Sequence, residues 1–127
     1  MIYGIGTDLV EVRRIESILL KWGERFTYKV YSYNEIDYCK KRAYPAMHYA
    51  ARFAAKESFL KSIGLGLGMG IGLREIEVIN SPQGTPQLKV HERIIGILEK
   101  LGITEIHISM THTREYAYAM VVLENGI

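Results

Sequence analysis

The sequence predicts an α+β fold, a largely antiparallel sheet packed with helices, in a single domain over residues 1–127. Three observations predict it. The apolar periodicity reads in the order strand, three helices, two strands, helix, two strands, which is not the strict alternation of a doubly wound parallel fold. Only Thr113-Arg114-Glu115 separates the last two strands, a hairpin spacing that makes them antiparallel neighbours. A chain of 127 residues with 48% hydrophobic and 24% charged residues has ordinary globular usage and can bury one real core.

Residues 2–12 read as a strand. Ile2 and Val10 lie on one alternating face and Tyr3, Ile5 and Leu9 on the other, so both faces are expected to be buried, with Asp8 interrupting the first. Residues 13–25 form an amphipathic helix whose core face carries Val12, Ile15, Leu19, Trp22 and Phe26, with Gly23 as a stop signal. Residues 28–33 read as extended. Ser32 with Glu35 three residues on has capping-box form and predicts a short helix over 34–43. Pro45 suits the first turn of the next helix, where its missing N–H costs nothing; that alanine-rich helix covers 46–63 and ends at Gly64. Five of the 12 glycines follow at alternate positions from Gly64 to Gly72. The run trails a helix instead of opening one and has neither the G-x-x-x-x-G-K-[ST] nor the G-x-G-x-x-G pattern, so it reads as a turning loop between helix and sheet, not a phosphate loop. Strands are expected at 74–79 and 87–90 around the turn cluster 81–86, then a helix at 91–102 with Ile94, Ile95 and Leu98 inward, and strands at 105–112 and 116–124.

Sixteen basic against 14 acidic residues leave a net charge of +2, which neither demands nor excludes a polyanionic partner. No stretch approaches the ~18 consecutive apolar residues of a membrane span, and the N-terminus lacks the basic start and apolar run of a signal peptide. Cys39 is the single cysteine, which excludes an internal disulfide framework and a multi-cysteine metal site and suits a reducing cytoplasm.

Several side chains break these patterns. Asp8 sits among apolar strand residues, where a carboxylate needs a cation, a metal or several hydrogen bonds. Glu57 lies mid-face among Ala46, Ala50, Phe53, Ala54 and Leu60, with Lys61 one turn on. Two carboxylates from different elements, without cysteine or clustered histidine, suit a hard cation such as Mg²⁺, which takes one or two carboxylates and completes its shell with water and phosphate. Lys61 beside them is the candidate catalytic cation. His48, Arg52 and Lys56 make an i, i+4, i+8 row that can hold phosphate or simply be a solvated helix face. On the first helix, Arg14, Ile18, Lys21 and Arg25 fall within about 60° of one another, away from the core face. This basic stripe with one aliphatic suits an acidic helix of a partner protein. Ser109 and His112 end a strand without any G-x-S-x-G elbow, so they do not form a hydrolase pair.

Three segments then acquire a family. The opening Gly4-Ile5-Gly6-Thr7-Asp8-Leu9-Val10-Glu11-Val12, the helix Arg52-Phe53-Ala54-Ala55-Lys56-Glu57-Ser58-Phe59-Leu60-Lys61 and the terminal Ser109-Met110-Thr111-His112 resemble the holo-[acyl-carrier-protein] synthases, the small 4′-phosphopantetheinyl transferases. Ile76-Glu77-Val78 followed by Gly84-Thr85-Pro86 is similar to the same family. The resemblance implies transfer of the phosphopantetheine arm of coenzyme A to a serine hydroxyl of apo acyl carrier protein, with release of adenosine 3′,5′-bisphosphate. It also implies Mg²⁺ on Asp8 and Glu57, a homotrimer with active sites between subunits, and carrier-protein docking on the first helix. On that footing Mg²⁺ and Lys61 stabilise the leaving phosphate, and the serine proton goes to Glu57 or to a metal-bound water. Arg52, Lys56 and His112 are expected to hold coenzyme A phosphates. Glu11 is left aside, because strict alternation puts it opposite Asp8. The competing reading is a nucleotide- or single-strand-binding module using the nine tyrosines and the basic stripes, against which the near-neutral charge weighs; no nucleic acid and no membrane are expected as partners.

Overall fold

The computed structural model describes residues 1–64 and 70–126. Strand β1 (Ile2–Glu11) runs without a loop into α1 (Val12–Trp22), followed by α2 (Glu24–Val30), α3 (Tyr33–Lys40) and the long α4 (Pro45–Ile63). After a 3₁₀ turn (Leu73–Glu75) come β2 (Ile76–Asn80), β3 (Pro86–Val90), α5 (Glu92–Lys100), β4 (Ile103–His112) and β5 (Tyr116–Asn125). The sheets are antiparallel throughout: a three-stranded one in the order β1-β5-β4 and a two-stranded one of β2 and β3. The expected α+β class and closing hairpin are therefore what the chain builds. Of the glycine run, residues 65–69 lie outside the described residues, so the loop reading of that stretch falls there too.

The core lies between α4 and the inner face of the three-stranded sheet. Val10, Ala117, Ala119, Val121 and Leu123 face inward and are buried, as are Ala50, Ala51, Ala54, Ala55 and Phe59 on the helix. Small residues on both sides let helix and strand backbones come together. The approach is tightest at β1. A Cβ on Gly6 would fall 1.8 Å from the Ser58 carbonyl oxygen, and one on Gly4 would fall 2.0 Å from that of Ser62. Ser58 Oγ also donates to the Ala119 carbonyl at 3.0 Å, tying α4 to β5.

Five expectations need correcting. The first helix does not run to residue 25: it breaks at Gly23, whose φ of 53° suits glycine, and α2 restarts at Glu24. Trp22 therefore leaves the core face and is 48% exposed, and Arg25 belongs to α2. Tyr28 to Val30 are helical, because Thr27 and Val30 turn inward; only Tyr31 and Ser32 are extended. Ser32 does form the capping box with Glu35, though α3 ends at Lys40. Ile95 on α5 points outward while Ile94 and Leu98 are buried. Finally, β1 is buried on one face only: Tyr3, Ile5 and Leu9 are exposed on the other, beside Tyr116 and Met120 of β5.

The glycine contact gives a sharp expectation. Gly6→Ala should cost about 3 kcal/mol or more, because backbone must move to admit the methyl group. Gly96→Ala, mid-helix in α5 with open space around it, should gain about 1 kcal/mol. Urea unfolding of both variants checks the pair; equal effects would show that the β1–α4 approach is not tight.

Candidate active site

The close approach of β1 to α4 sets two carboxylates beside one another. Asp8 points from β1 toward the helix, and its Oδ1 accepts from Lys61 Nζ at 3.0 Å. The same ammonium donates to the Thr7 carbonyl at 3.0 Å, so Lys61 clasps the strand. Glu57, one turn earlier on α4, is half-buried. Burial pushes its carboxyl above the usual range, the Asp8 charge adds to the rise, and Lys61 opposes it. A group in that condition needs a cation or a proton.

Both carboxylates open into a groove of about 590 Å³, also lined by Leu9, Val10, Glu11, Arg14, Ile15, Ile18, Phe26, Phe53 and Tyr116. That volume is within the range of ligand clefts. Glu11 also lines this groove, against the sequence reading, although it keeps the exposed face of β1 opposite Asp8 and pairs in register with Tyr116, because the groove wraps the end of the strand. Arg14 and Ile18 thus share a groove with Asp8 and Glu57. Ile18 and Arg25 also line a neighbouring depression with Trp22, Phe26, Tyr28 and Lys29. Lys21 is exposed, with its ammonium 5.2 Å above the Trp22 ring. The stripe Arg14, Ile18, Lys21, Arg25 is therefore exposed or half-exposed on two helices, not one.

The row on the other side of α4 departs further from expectation. Lys56 is fully buried and does not face solvent. Its ammonium donates to Glu35 Oε1 at 2.7 Å, to the Leu73 carbonyl at 3.1 Å and to the Ile76 carbonyl. Burial lowers the Lys56 pKa, and the Glu35 charge opposes that shift. With all three of its hydrogens taken by protein, Lys56 has none left for a phosphate, and its expected role there is withdrawn. Glu35 also accepts from Val78 N at 3.1 Å, so this carboxylate joins α3, α4 and β2. Arg52 is 3% exposed, and its guanidinium carbon lies 4.1 Å from the centre of the Tyr38 ring. His112 ends β4 at 5.1 Å from the His48 ring. Neither Arg52 nor His112 lines the carboxylate groove. Asp8 is on β1 and His112 on β4, with β5 between them, roughly 10 Å across two strand spacings.

Sequence reasoning missed Tyr38 and Arg42, and gave Glu35 only a capping role. Its one available signal was that capping box, which fixes Glu35 at the start of α3 but does not reveal that the carboxylate turns into the core.

The fold and its acidic, lysine-clasped groove define a small α+β enzyme. The profile of the 4′-phosphopantetheinyl transferase superfamily matches residues 4–121. A holo-[acyl-carrier-protein] synthase of Syntrophus aciditrophicus is 57% identical over 124 residues, covering 98% of this chain and 97% of the relative. The crystal structure of holo-[acyl-carrier-protein] synthase from Neisseria meningitidis superposes with a TM-score of 0.91 at 33% identity, covering 98% of this chain and 100% of that one. The Bacillus anthracis synthase, solved in complex with CoA (3′,5′-ADP), gives 0.80 at 35% identity with 99% of each chain covered. The chain belongs to the 4′-phosphopantetheinyl transferase superfamily.

Proposed function

We propose that the chain transfers the 4′-phosphopantetheine arm of coenzyme A to a serine hydroxyl of apo acyl carrier protein, supporting fatty acid biosynthesis in the cytoplasm. The observation that carries this reading is the single groove that joins Asp8 and Glu57 to Arg14 and Ile18. Chemistry at one end and protein recognition at the other is the layout that delivering a serine to a phosphoryl centre requires. Coenzyme A as donor is supported by the bound state of the Bacillus anthracis relative.

The residues fit Mg²⁺. Asp8 and Glu57 offer hard oxygen donors from two elements, and the groove has room for water and phosphate oxygens. Among the described residues no three His, Cys, Asp or Glu side chains cluster as a complete ligand set, so a cation here depends on those outside oxygens. When bound, Mg²⁺ supplies charge neutralisation at the pyrophosphate. The chain's own residues do the rest. The serine oxygen forms a bond to the phosphorus that carries the pantetheine arm, and the bridging bond to the adenosine 3′,5′-bisphosphate breaks. The serine proton goes to Glu57 or to a water in the groove. Lys61, 55% exposed at its side chain, stabilises charge on the departing phosphate. Arg14, Lys21 and Arg25 draw in an acidic helix of the carrier protein while Ile18 supplies an apolar contact.

The active unit is a homotrimer with sites between subunits. Two features support this. The outer sheet face carries Tyr3, Ile5, Leu9, Tyr116 and Met120, an exposed apolar patch of the kind another protein chain covers. Arg52 and His112, which we assign to coenzyme A phosphates, lie outside the carboxylate groove of their own chain, where a second copy can bring its own pair.

Incubation with apo carrier protein, coenzyme A and Mg²⁺ should add the mass of one phosphopantetheine to the carrier serine. Chelation of Mg²⁺ or Asp8→Ala should slow this by about 100-fold or more; no mass gain, or wild-type rates for Asp8→Ala, would refute the assignment. In steady-state kinetics Arg14→Glu should raise the KM for carrier protein by about tenfold and leave that for coenzyme A nearly unchanged. Equal damage to both constants would remove the docking role. Light scattering should report three times the 14.5 kDa chain mass, and a monomer at micromolar concentration would overturn the trimer.

A further inference from the structure

Tyr38 on α3 carries two guanidinium groups. The Arg42 carbon lies 3.9 Å and the Arg52 carbon 4.1 Å from the ring centre. Both guanidinium groups lie over this one ring at cation–π range. His48 meets the same ring edge-on at 5.9 Å, and His112 lies 5.1 Å beyond. Four groups able to carry positive charge thus gather around one half-buried tyrosine.

Arg52 has little else to hold it. Its Nε is buried without a hydrogen-bond partner. The nearest carboxylate oxygen is Glu35 Oε2 at 4.0 Å, and that oxygen already accepts from Val78 N. A long, rotamer-rich side chain in this position is fixed mainly by what it stacks on. Here that is Tyr38, whose negative ring face also offsets the repulsion between Arg42 and Arg52.

We infer that Tyr38 is a positioning residue for phosphate binding: its ring holds Arg52, with Arg42 stacked on the same ring, so that Arg52 meets the phosphate ester of the adenosine bisphosphate end without first being ordered by it. This rests on the assignment of Arg52 to a coenzyme A phosphate. The ring acts through the arginine and need not touch the ligand. Its loss should weaken binding of the nucleotide end while sparing the chemical step and the carrier protein.

The test uses the full-length protein and adenosine 3′,5′-bisphosphate as probe, by calorimetry, alongside steady-state kinetics. Tyr38→Leu should weaken the Kd for the bisphosphate and raise the KM for coenzyme A by about tenfold, equivalent to about 1.4 kcal/mol and within the range of a desolvated cation–π contact. The kcat and the KM for carrier protein should change less than twofold. Tyr38→Phe, which keeps the ring, should restore most of the lost affinity. If Tyr38→Leu fails to fold, as checked by its thermal transition, Tyr38→Met removes the ring at similar volume and carries the same expectation. Wild-type binding in the ring-less variant, together with weakened binding in Arg52→Gln, would overturn the positioning role and leave Arg52 as a phosphate ligand. Wild-type binding in Arg52→Gln would overturn the assignment of Arg52 itself, and the inference with it. Equal losses in Tyr38→Phe and Tyr38→Leu would place the effect in the hydroxyl and refute stacking.

Discussion

The structure turns on the contact between the β1 backbone and the carbonyl edge of α4. At Gly4 and Gly6 the strand lies so close to Ser62 and Ser58 that any side chain would collide with a peptide oxygen. Such contacts leave no slack along the strand axis: a slip of one residue would turn Asp8 to the outer face and drive Ile5 or Thr7 into the helix. The register is what sets Asp8 within 3.0 Å of Lys61 and beside Glu57. The carboxylate pair follows from the fit of two backbones, and the glycines that look like flexible residues in the sequence are the rigid ones in the fold.

The second tie is electrostatic and lies on the opposite side of α4. Lys56 and Lys61 are five residues apart on one helix, yet one is sealed in the core and the other is half in water. Lys56 spends its three hydrogens on Glu35 and two carbonyls that lead into β2. A buried pair of this kind is weak evidence for net stability, because desolvation costs about as much as the attraction returns. Its stronger effect is geometric: every alternative placement of α3 or of the segment entering β2 leaves a charge without a partner. The helix that presents Glu57 and Lys61 on one side is thereby anchored on the other.

The sequence made the carboxylates legible because they break apolar patterns, and Asp8, Glu57 and Lys61 meet where those patterns cross. It misjudged Lys56 because α4 is buried on several sides. Its alanines make every face look neutral, so a helical wheel cannot tell a solvated lysine from an interior one. Trp22 was misplaced because periodicity carries through Gly23, whereas the backbone turns there. Glu11 keeps the alternation of β1 yet lines the groove, because the groove takes in both faces at the end of the strand. The outer face of β1 was read as core for a deeper reason. Apolar residues on an open face and apolar residues that their own chain covers are written in the same letters, and only the fold separates Ile5, 55% exposed, from Val10, 7% exposed. Tyr38 left no signal at all, since its partners Arg42 and Arg52 come together through the packing of α3 on α4.

The order β1-β5-β4 has one more consequence. It places the carboxylates at one edge of the sheet and the His48, His112 and Arg52 cluster toward the other, with a strand between them. A bisphosphate donor needs acidic groups to hold a metal and basic groups to hold its own charge. In one chain those groups, placed next to one another, would cancel, as Glu35 and Lys56 do in the core. The strand between them keeps the two sets from pairing with one another. In the homotrimer proposed above, a second copy seated on the exposed apolar face of β1 and β5 would bring its cationic edge to the acidic groove of the first. The net charge of +2 is thus an average over an acidic groove and a basic cluster on different strands, and that separation is what the proposed sharing of a site between copies rests on.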